Sequence, residues 1–318
     1  MAAQIRIGIS GWRYVPWRGV FYPEGLTQNK ELRFASRALS TIEINGSFYS
    51  LQRPQSYATW YAETGDSFIF SVKGPRYITH ILRLKGIEKA MANFLASGIF
   101  ELKEKLGPIL WQFPANLKFE PERFEAFLKL LPQDTHTAQI QAMQCEERME
   151  GRCSLSIDVN RPLRHAVEIR HESFIDPAFV ELLRRYNVAL VIADTAGKWL
   201  YREDVTADFL YIRLHGHEQL YSSRYGDDTL QHWASRILGW AQGEQPQDAH
   251  LIDDNHVPPE RIFRDVYCYF DNDANVHAPF DADRLTVALG LKDSLGKWDL
   301  SLIGEEAKPA RRKKTNAP

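Results

Sequence analysis

The sequence predicts an α/β fold, a single (β/α)8 barrel with parallel strands, and three observations predict it. Eight short apolar, β-rich runs recur along the chain, segments of helical periodicity lie between them, and most polar residues of the runs keep to one parity.

The runs are IRIGIS (5–10), TIEIN (41–45), SFIFSVK (67–73), PILWQF (108–113), HAVEIR (165–170), VALVIAD (188–194), FLYIRLHG (209–216) and VYCYFDN (266–272). Between them, spacings of three and four gather apolar side chains on one helical face. The sets are Tyr57, Trp60 and Tyr61; Phe124, Phe127, Leu128 and Leu131; Phe179, Leu182, Leu183 and Tyr186; and Leu230, Trp233, Ile237 and Trp240. Parallel strands need crossovers, and right-handed crossovers curl a sheet towards closure. A doubly wound open sheet is the alternative, but it should carry a glycine-rich phosphate loop after the first strand. GISGWRYVPW has glycines without the GxGxxG spacing. The barrel domain is expected over residues 1–307, with long connections at 132–163, holding an extra helix around 138–149, and at 243–263. Residues 308–318 read as a basic disordered tail.

With 318 residues, 44% hydrophobic and 25% charged, the chain can bury a sizeable core. A formal net charge of -2 gives no whole-molecule signature of nucleic-acid binding, although Lys308, Arg311, Arg312, Lys313 and Lys314 concentrate positive charge in the tail. Cys145, Cys153 and Cys268 form no CxxC pair, which argues against a disulfide framework or a structural zinc site. Asp253, Asp254 and His256 could be taken for a metal cluster, but Pro258 and Pro259 follow them and mark a solvated loop. No apolar signal core opens the sequence, and no run approaches the ~18 apolar residues of a membrane span. A cytoplasmic protein without a membrane partner is expected.

Residues two apart in a strand share a face. One parity carries Glu43 and Asn45, Ser71 and Lys73, Gln112, Glu168 and Arg170, Asp194, then Tyr211, Arg213 and His215, and finally Tyr267, Tyr269 and Asp271. The other carries Ile42, Ile44, Phe70, Val72, Val167, Ile169, Val191, Ala193, Ile212, Leu214, Cys268 and Phe270, a face suited to packing under helices. The polar parity is therefore expected to line the lumen, with its polar groups at the C-terminal ends of the strands, where such barrels place active sites. A buried carboxylate costs several kcal/mol unless paired, so repeating that choice on strand after strand points to a pocket. Lys73, one strand from Glu43, is expected to pair with it. A purely structural ionic plug of the four carboxylates with Lys73, Arg170 and Arg213 is the competing reading.

On these residues the chain resembles the YecE-like family, domain of unknown function 72. The segments that carry the likeness are GISGWRYVPWRGVFYPEG (8–25), IEINGSFYSLQRPQSYATWYAET (42–64), FSVKGPRYITH (70–80), GPILWQFP (107–114), VEIRHESF (167–174), YIRLHG (211–216), YSSRYGDDTLQHWA (221–234) and YCYFDND (267–273). The resemblance implies a TIM barrel and supplies no established reaction; a likeness of the family's barrel to endonuclease IV implies nucleic-acid binding or processing. Two positions depart from the family's usual pattern. Phe174 stands where tryptophan is usual, and Asp271 replaces an asparagine before Asn272.

Three chemistries fit these residues. Glu43, Glu168, Asp194, His215 and Asp271, with His80 from a loop, are ligand types for a divalent metal, but a single strand-borne histidine in the lumen and three competing cations disfavour it, and the cofactor stays unknown. Glu43 and Glu168 could form a glycosidase pair, with Trp12, Tyr49 and Trp111 stacking on a sugar. The leading reading is a small anionic ligand, phosphorylated or nucleotide-type, with nucleic acid as its wider form. Lys73, Arg170 and Arg213 would hold it beside Asn45, Gln112, Asp271, Asn272, Trp12, Tyr49 and His80. For turnover as a hydrolase or lyase, Asp194 is the preferred base, because Arg170 depresses Glu168. Glu43 is the further carboxylate, and His215 a proton donor or acceptor. A ligand-binding protein without turnover uses the same converging groups.

Overall fold

Ile5–Ser10 (β1) pairs in parallel with both Thr41–Ile44 (β2) and Asp265–Phe270 (β8), and the second pairing closes the sheet. Between them run Ile69–Lys73 (β3), Leu106–Gln112 (β4), His165–Glu168 (β5), Ala189–Asp194 (β6) and Phe209–Leu214 (β7), in sequence order and all parallel. This is the predicted barrel. The computed structural model describes residues 2–254 and 260–299. The 307 boundary, the basic segment 308–318 and His256 of the acidic loop lie outside the described residues.

Helices Glu31–Ala38 (α1), Gly46–Tyr49 (α2), Pro54–Glu63 (α3), Glu88–Ala96 (α4), Pro121–Lys129 (α5), Thr135–Ala142 (α6), Pro177–Arg185 (α7), Asp227–Ala241 (α8) and Ala278–Ala288 (α9) cover the outside. Proline starts α3, α5 and α7, where its fixed φ suits the first turn and its missing N–H is not needed. Asp134 caps α6 by accepting from the Thr137 N–H, and Asp176 caps α7 through Ala178. The extra helix expected around 138–149 is shorter: α6 ends at Ala142, and one 3-10 turn follows at Glu147–Met149. No helix among the described residues is long and apolar enough to cross a membrane.

One crossover departs from regular alternation. Between β6 and β7 the described chain contains no helix. Glu203 takes the space, fully buried, with Arg236 of α8 donating Nε and Nη2 to its two oxygens at 2.7 Å each. The His250 N–H also donates to Glu203, so the connection after α8 folds back to cover this side.

The outward parity forms the main core. Trp111 of β4 lies fully buried, its ring centroid 5.7 Å from that of Phe94 and 5.5 Å from that of Phe127. Truncating such a side chain costs about 3–5 kcal/mol. The lumen is a second, smaller cluster of Leu110, Ala166, Ala189, Val191, Ala193, Phe209, Tyr211, Tyr267 and Tyr269. Tyr269 shares its hydroxyl with Ser71 at 2.5 Å and Thr41 at 3.0 Å, fixing β2, β3 and β8 to one another. At the N-terminal end Arg164 bonds Asp265 at 2.7 Å and sits over the Phe209 ring, closing the lumen below.

β6 reverses the expected parity. Val191 and Ala193 face the lumen, beside Tyr211 and Arg213 of β7, while Leu190 and Ile192 join the outer core. Asp194, on the parity of Leu190 and Ile192, is therefore not a lumen residue. The reason is volume: the side chains of Tyr211 and Arg213 fill the lumen, and small apolar residues on the neighbouring strand leave them room.

Candidate functional site

Arg213 organises the floor of the C-terminal mouth. It is 1% exposed and donates Nη2 and Nε to Glu43 at 2.9 and 3.1 Å, Nη1 to Glu168 at 2.7 Å, and Nη2 to Asp271 at 3.0 Å. Further contacts run to Ser10 Oγ at 3.2 Å and His215 Nε2 at 3.2 Å. A guanidinium only donates, so Nε2 faces it as the bare nitrogen and the ring proton of His215 is on Nδ1, towards Asp271. That nitrogen lies 2.9 Å from Asp271 Oδ2, at ion-pair distance but outside hydrogen-bond geometry.

The floor carboxylates are saturated. Glu43 also accepts from Ser10 at 2.5 Å and Tyr211 at 2.6 Å; Glu168 also accepts from Gln112 at 2.8 Å and from Arg170 Nε and Nη2 at 3.0 and 2.9 Å. Burial alone would raise the Glu168 carboxyl, but the charges of Arg170, Arg213 and Lys73 outweigh it and hold it well below the usual range. The same opposition acts at Asp271, where burial is outweighed by Arg213, His215 and Lys73 and the carboxyl falls to about 2. Glu43 and Glu168 thus form an ionic floor under Arg213. Neither Glu43 nor Glu168 lines the cavity, and His215, fully buried against the Tyr221 ring, lies beneath it rather than on its wall.

Above the floor lies a cavity of about 570 Å³ lined by Tyr14, Asn45, Phe48, Tyr49, Lys73, Arg76, His80, Gln112, Arg170, Tyr221, Asp271 and Asp273. Lys73 ends β3. Its carbonyl accepts from Ser47 Oγ at 2.6 Å, and its Nζ sits 4.4 Å from the centroid of the Phe48 ring, both contacts delivered by α2. The expected Lys73–Glu43 pair does not form, because Glu43 lies one layer deeper and is taken by Arg213, Tyr211 and Ser10. Burial, and Arg213 after it, lower the Lys73 ammonium to about 8. After β3 a single π-helical turn, Tyr77–Ile81, presents His80, whose Nδ1 meets Thr79 Oγ1 at 2.8 Å. Burial, then Arg170, Lys73 and Arg76, lower His80 to about 4, so it is neutral at physiological pH.

Arg170 stacks on Trp199, its guanidinium carbon 3.6 Å from the ring centroid, while bonding Glu168. The Ser10 hydroxyl is spent on Glu43, so Asn45 Nδ2, 2.8 Å away, must be its donor, and the buried Oδ1 of Asn45 is left without a partner. Tyr49, 72% exposed, stands at the rim.

Four expected site residues lie elsewhere. Asp194 accepts from Tyr225 at 3.1 Å and meets His217 at 3.2 Å, on a separate cavity of about 330 Å³. Asn272, on the outward parity, is fully buried and donates to Ser223 O and Asp281, tying down the loop after β7. Trp12 packs edge-on against Trp60 at 5.3 Å, and Trp111 belongs to the outer core. The donors of Arg213 are committed to the floor.

Residues missed in the sequence are Tyr14, Phe48, Arg76, Tyr221 and Asp273. Asp273 was within reach, two residues beyond Asp271 on the same parity; the others sit outside the strands, where no periodicity marks them. Burial, then the charge of Asp271, push the Asp273 carboxyl up to about 6. Among the described residues no group of three His, Cys, Asp or Glu side chains is placed to hold a metal ion.

The comparisons with known proteins agree with this architecture. The family model described as Protein of unknown function DUF72 matches residues 6–300. The UPF0759 protein YecE of Escherichia coli (strain K12) is 29% identical over 131 residues, 40% of this chain and 44% of that protein, so the chain matches under half that relative's length. A DUF72 family protein of Thermotoga maritima has a TM-score of 0.65 at 22% identity, covering 91% of this chain and 99% of its own. Another, from Enterococcus faecalis, has 0.65 at 17% identity, with 91% and 96% covered. At those identities the likeness speaks for the shared barrel alone. With the family model running from the first strand past the eighth, the chain belongs to the DUF72, YecE-like family.

Proposed function

We propose that the C-terminal mouth binds a small anionic ligand, phosphorylated or nucleotide-like, as the step on which the protein's activity rests. The observation that carries this reading is the arc of Lys73, Arg76 and Arg170 on the cavity wall, whose combined field helps to depress His80. Arg213 is neutralised by three acids beneath, whereas Lys73 has no carboxylate within ion-pair distance among the described residues, and Arg170 bonds Glu168 through Nε and Nη2 alone. Phosphate oxygens suit such an arc, with arginine donating in pairs and lysine acting as a point charge. The exposed ring of Tyr49 at the rim suits an aromatic base, which places nucleotides among the first ligands to try.

The test is thermal unfolding with inorganic phosphate, ribose 5-phosphate, adenosine monophosphate and neutral ribose, for the wild type and Arg76→Ala. Arg76 is exposed, so its removal leaves the core intact. Phosphorylated ligands at a hundredfold excess over Kd are expected to raise wild-type stability by about 2.7 kcal/mol, and the variant by less. Ribose is expected to do nothing. No shift with any anion, or equal shifts in both proteins, removes the anion reading.

A further inference from the structure

Among the described residues two lysines are buried, and they are treated differently. Lys105, 3% exposed, donates to Tyr61 O at 2.7 Å, Thr64 O at 3.0 Å and Thr64 Oγ1 at 3.2 Å. Its ammonium is held by oxygens, as a structural charge should be. Lys73, 8% exposed, makes no side-chain hydrogen bond or ion pair among the described residues; its Nζ has only the face of Phe48 and the cavity. Its backbone, in contrast, is clamped by the Ser47 hydroxyl on its carbonyl and by the following Gly74 N–H on Leu110 O at 2.8 Å. A fixed stem with an unpartnered amine in a half-dry pocket is what a nucleophilic lysine requires.

We propose that Lys73 is a carbonyl-reactive amine whose Nζ forms an imine with an aldehyde or ketone group of the anionic ligand. The proposal rests on the anion reading for the ligand's charge and on Lys73 alone for the reaction. With the ammonium lowered to about 8, roughly a tenth of Lys73 is neutral at pH 7, against less than about a thousandth for a free lysine. The neutral amine attacks the carbonyl carbon, the C–N bond forms as the C=O π bond opens, and a proton moves from nitrogen to oxygen to give the carbinolamine. The C–O bond then breaks, one proton from a protonated carboxyl completes the departing water, and a protonated imine remains on Lys73. Asp273 lines the same cavity and, at about 6, keeps a protonated fraction near neutrality for that step. Arg76 and Arg170 hold the anionic end of the molecule.

The experiment uses the full chain with glycolaldehyde phosphate and sodium borohydride, the adduct located by peptide mass spectrometry. Lys73 is expected to be modified at least tenfold faster than Lys129, whose side chain is 60% exposed, and inorganic phosphate should slow it. Lys73→Arg should lose the site-specific adduct. Modification of Lys73 no faster than Lys129 overturns the imine, and if phosphate still raises the melting temperature the anion reading survives alone. If unphosphorylated glycolaldehyde labels Lys73 as fast and phosphate does not compete, the imine stands and the anion reading falls.

Discussion

Arg213 and Lys73 are both cationic side chains of the lumen's C-terminal end, and they are expected to respond in opposite ways to substitution. Arg213 is bonded to Glu43, Glu168 and Asp271, so Arg213→Met leaves three acids without their shared cation. Removing one partner of a buried pair costs about 3–5 kcal/mol, and this loss should be at least that in chemical denaturation. Lys73→Met removes a cation that burial penalises and no acid pairs with, so it should gain roughly 1–3 kcal/mol at pH 7. The sign follows from the lowered ammonium: between about 8 and the unfolded value of 10.5 the unfolded chain binds more protons, so wild-type stability from this group rises with pH. The advantage of Lys73→Met should therefore shrink from pH 7 to pH 10. A variant less stable than wild type at pH 7 would mean that Lys73 has an acidic partner after all. The parity of the sequence brought Glu43, Lys73, Gln112, Glu168, Arg213 and Asp271 to one end of the lumen. It could not say who pairs with whom, because pairing depends on depth along the barrel axis, which strand stagger sets.

At the scale of elements, strand existence and order were legible because apolar runs and turn residues are local signals. β6 was misread because its lumen residues are small and apolar, so polarity pointed to the wrong face. The missing β6–β7 helix was equally silent, since its place is taken by an ion pair between residues 203 and 236, a contact with no sequence period. Glu203 is fully buried, also accepts from Tyr201 at 2.6 Å, and so is bonded by residues of the connection before β7, of α8 and of the connection after it. Glu203→Gln keeps its shape and withdraws its charge from Arg236, which retains only the exposed Asp248. A loss of about 3 kcal/mol is expected, with amide exchange accelerated first at 195–208 and 245–252. No residue lining the mouth comes from 195–208, and Trp199, stacked on Arg170, is the contact named above that joins the two, so phosphate binding should persist in this variant. Loss of binding with an unchanged exchange pattern would show that the crossover supports the site and not the shell.

For the whole molecule, charge is balanced, with 39 basic and 41 acidic residues among 318. Such a surface has no net field to gather a polyanion, and the cations of the mouth are a local arc above an acid-rich floor. This separates a small phosphorylated ligand from an extended nucleic-acid footprint by a measurable quantity. Each phosphate neutralised on a single strand contributes about -0.7 to the slope of log K against log salt, so contact limited to Lys73, Arg76 and Arg170 gives a slope near -2. A short single-stranded oligonucleotide, titrated by fluorescence anisotropy across a salt series, is expected to bind with that slope. Its affinity should be no greater than that of the mononucleotide, and inorganic phosphate should displace it. A slope of about -5 or steeper would require contacts well beyond the mouth, and the basic residues 308–314 would then be the first place to seek them, by deleting residues 308–318 and asking whether the slope returns to about -2.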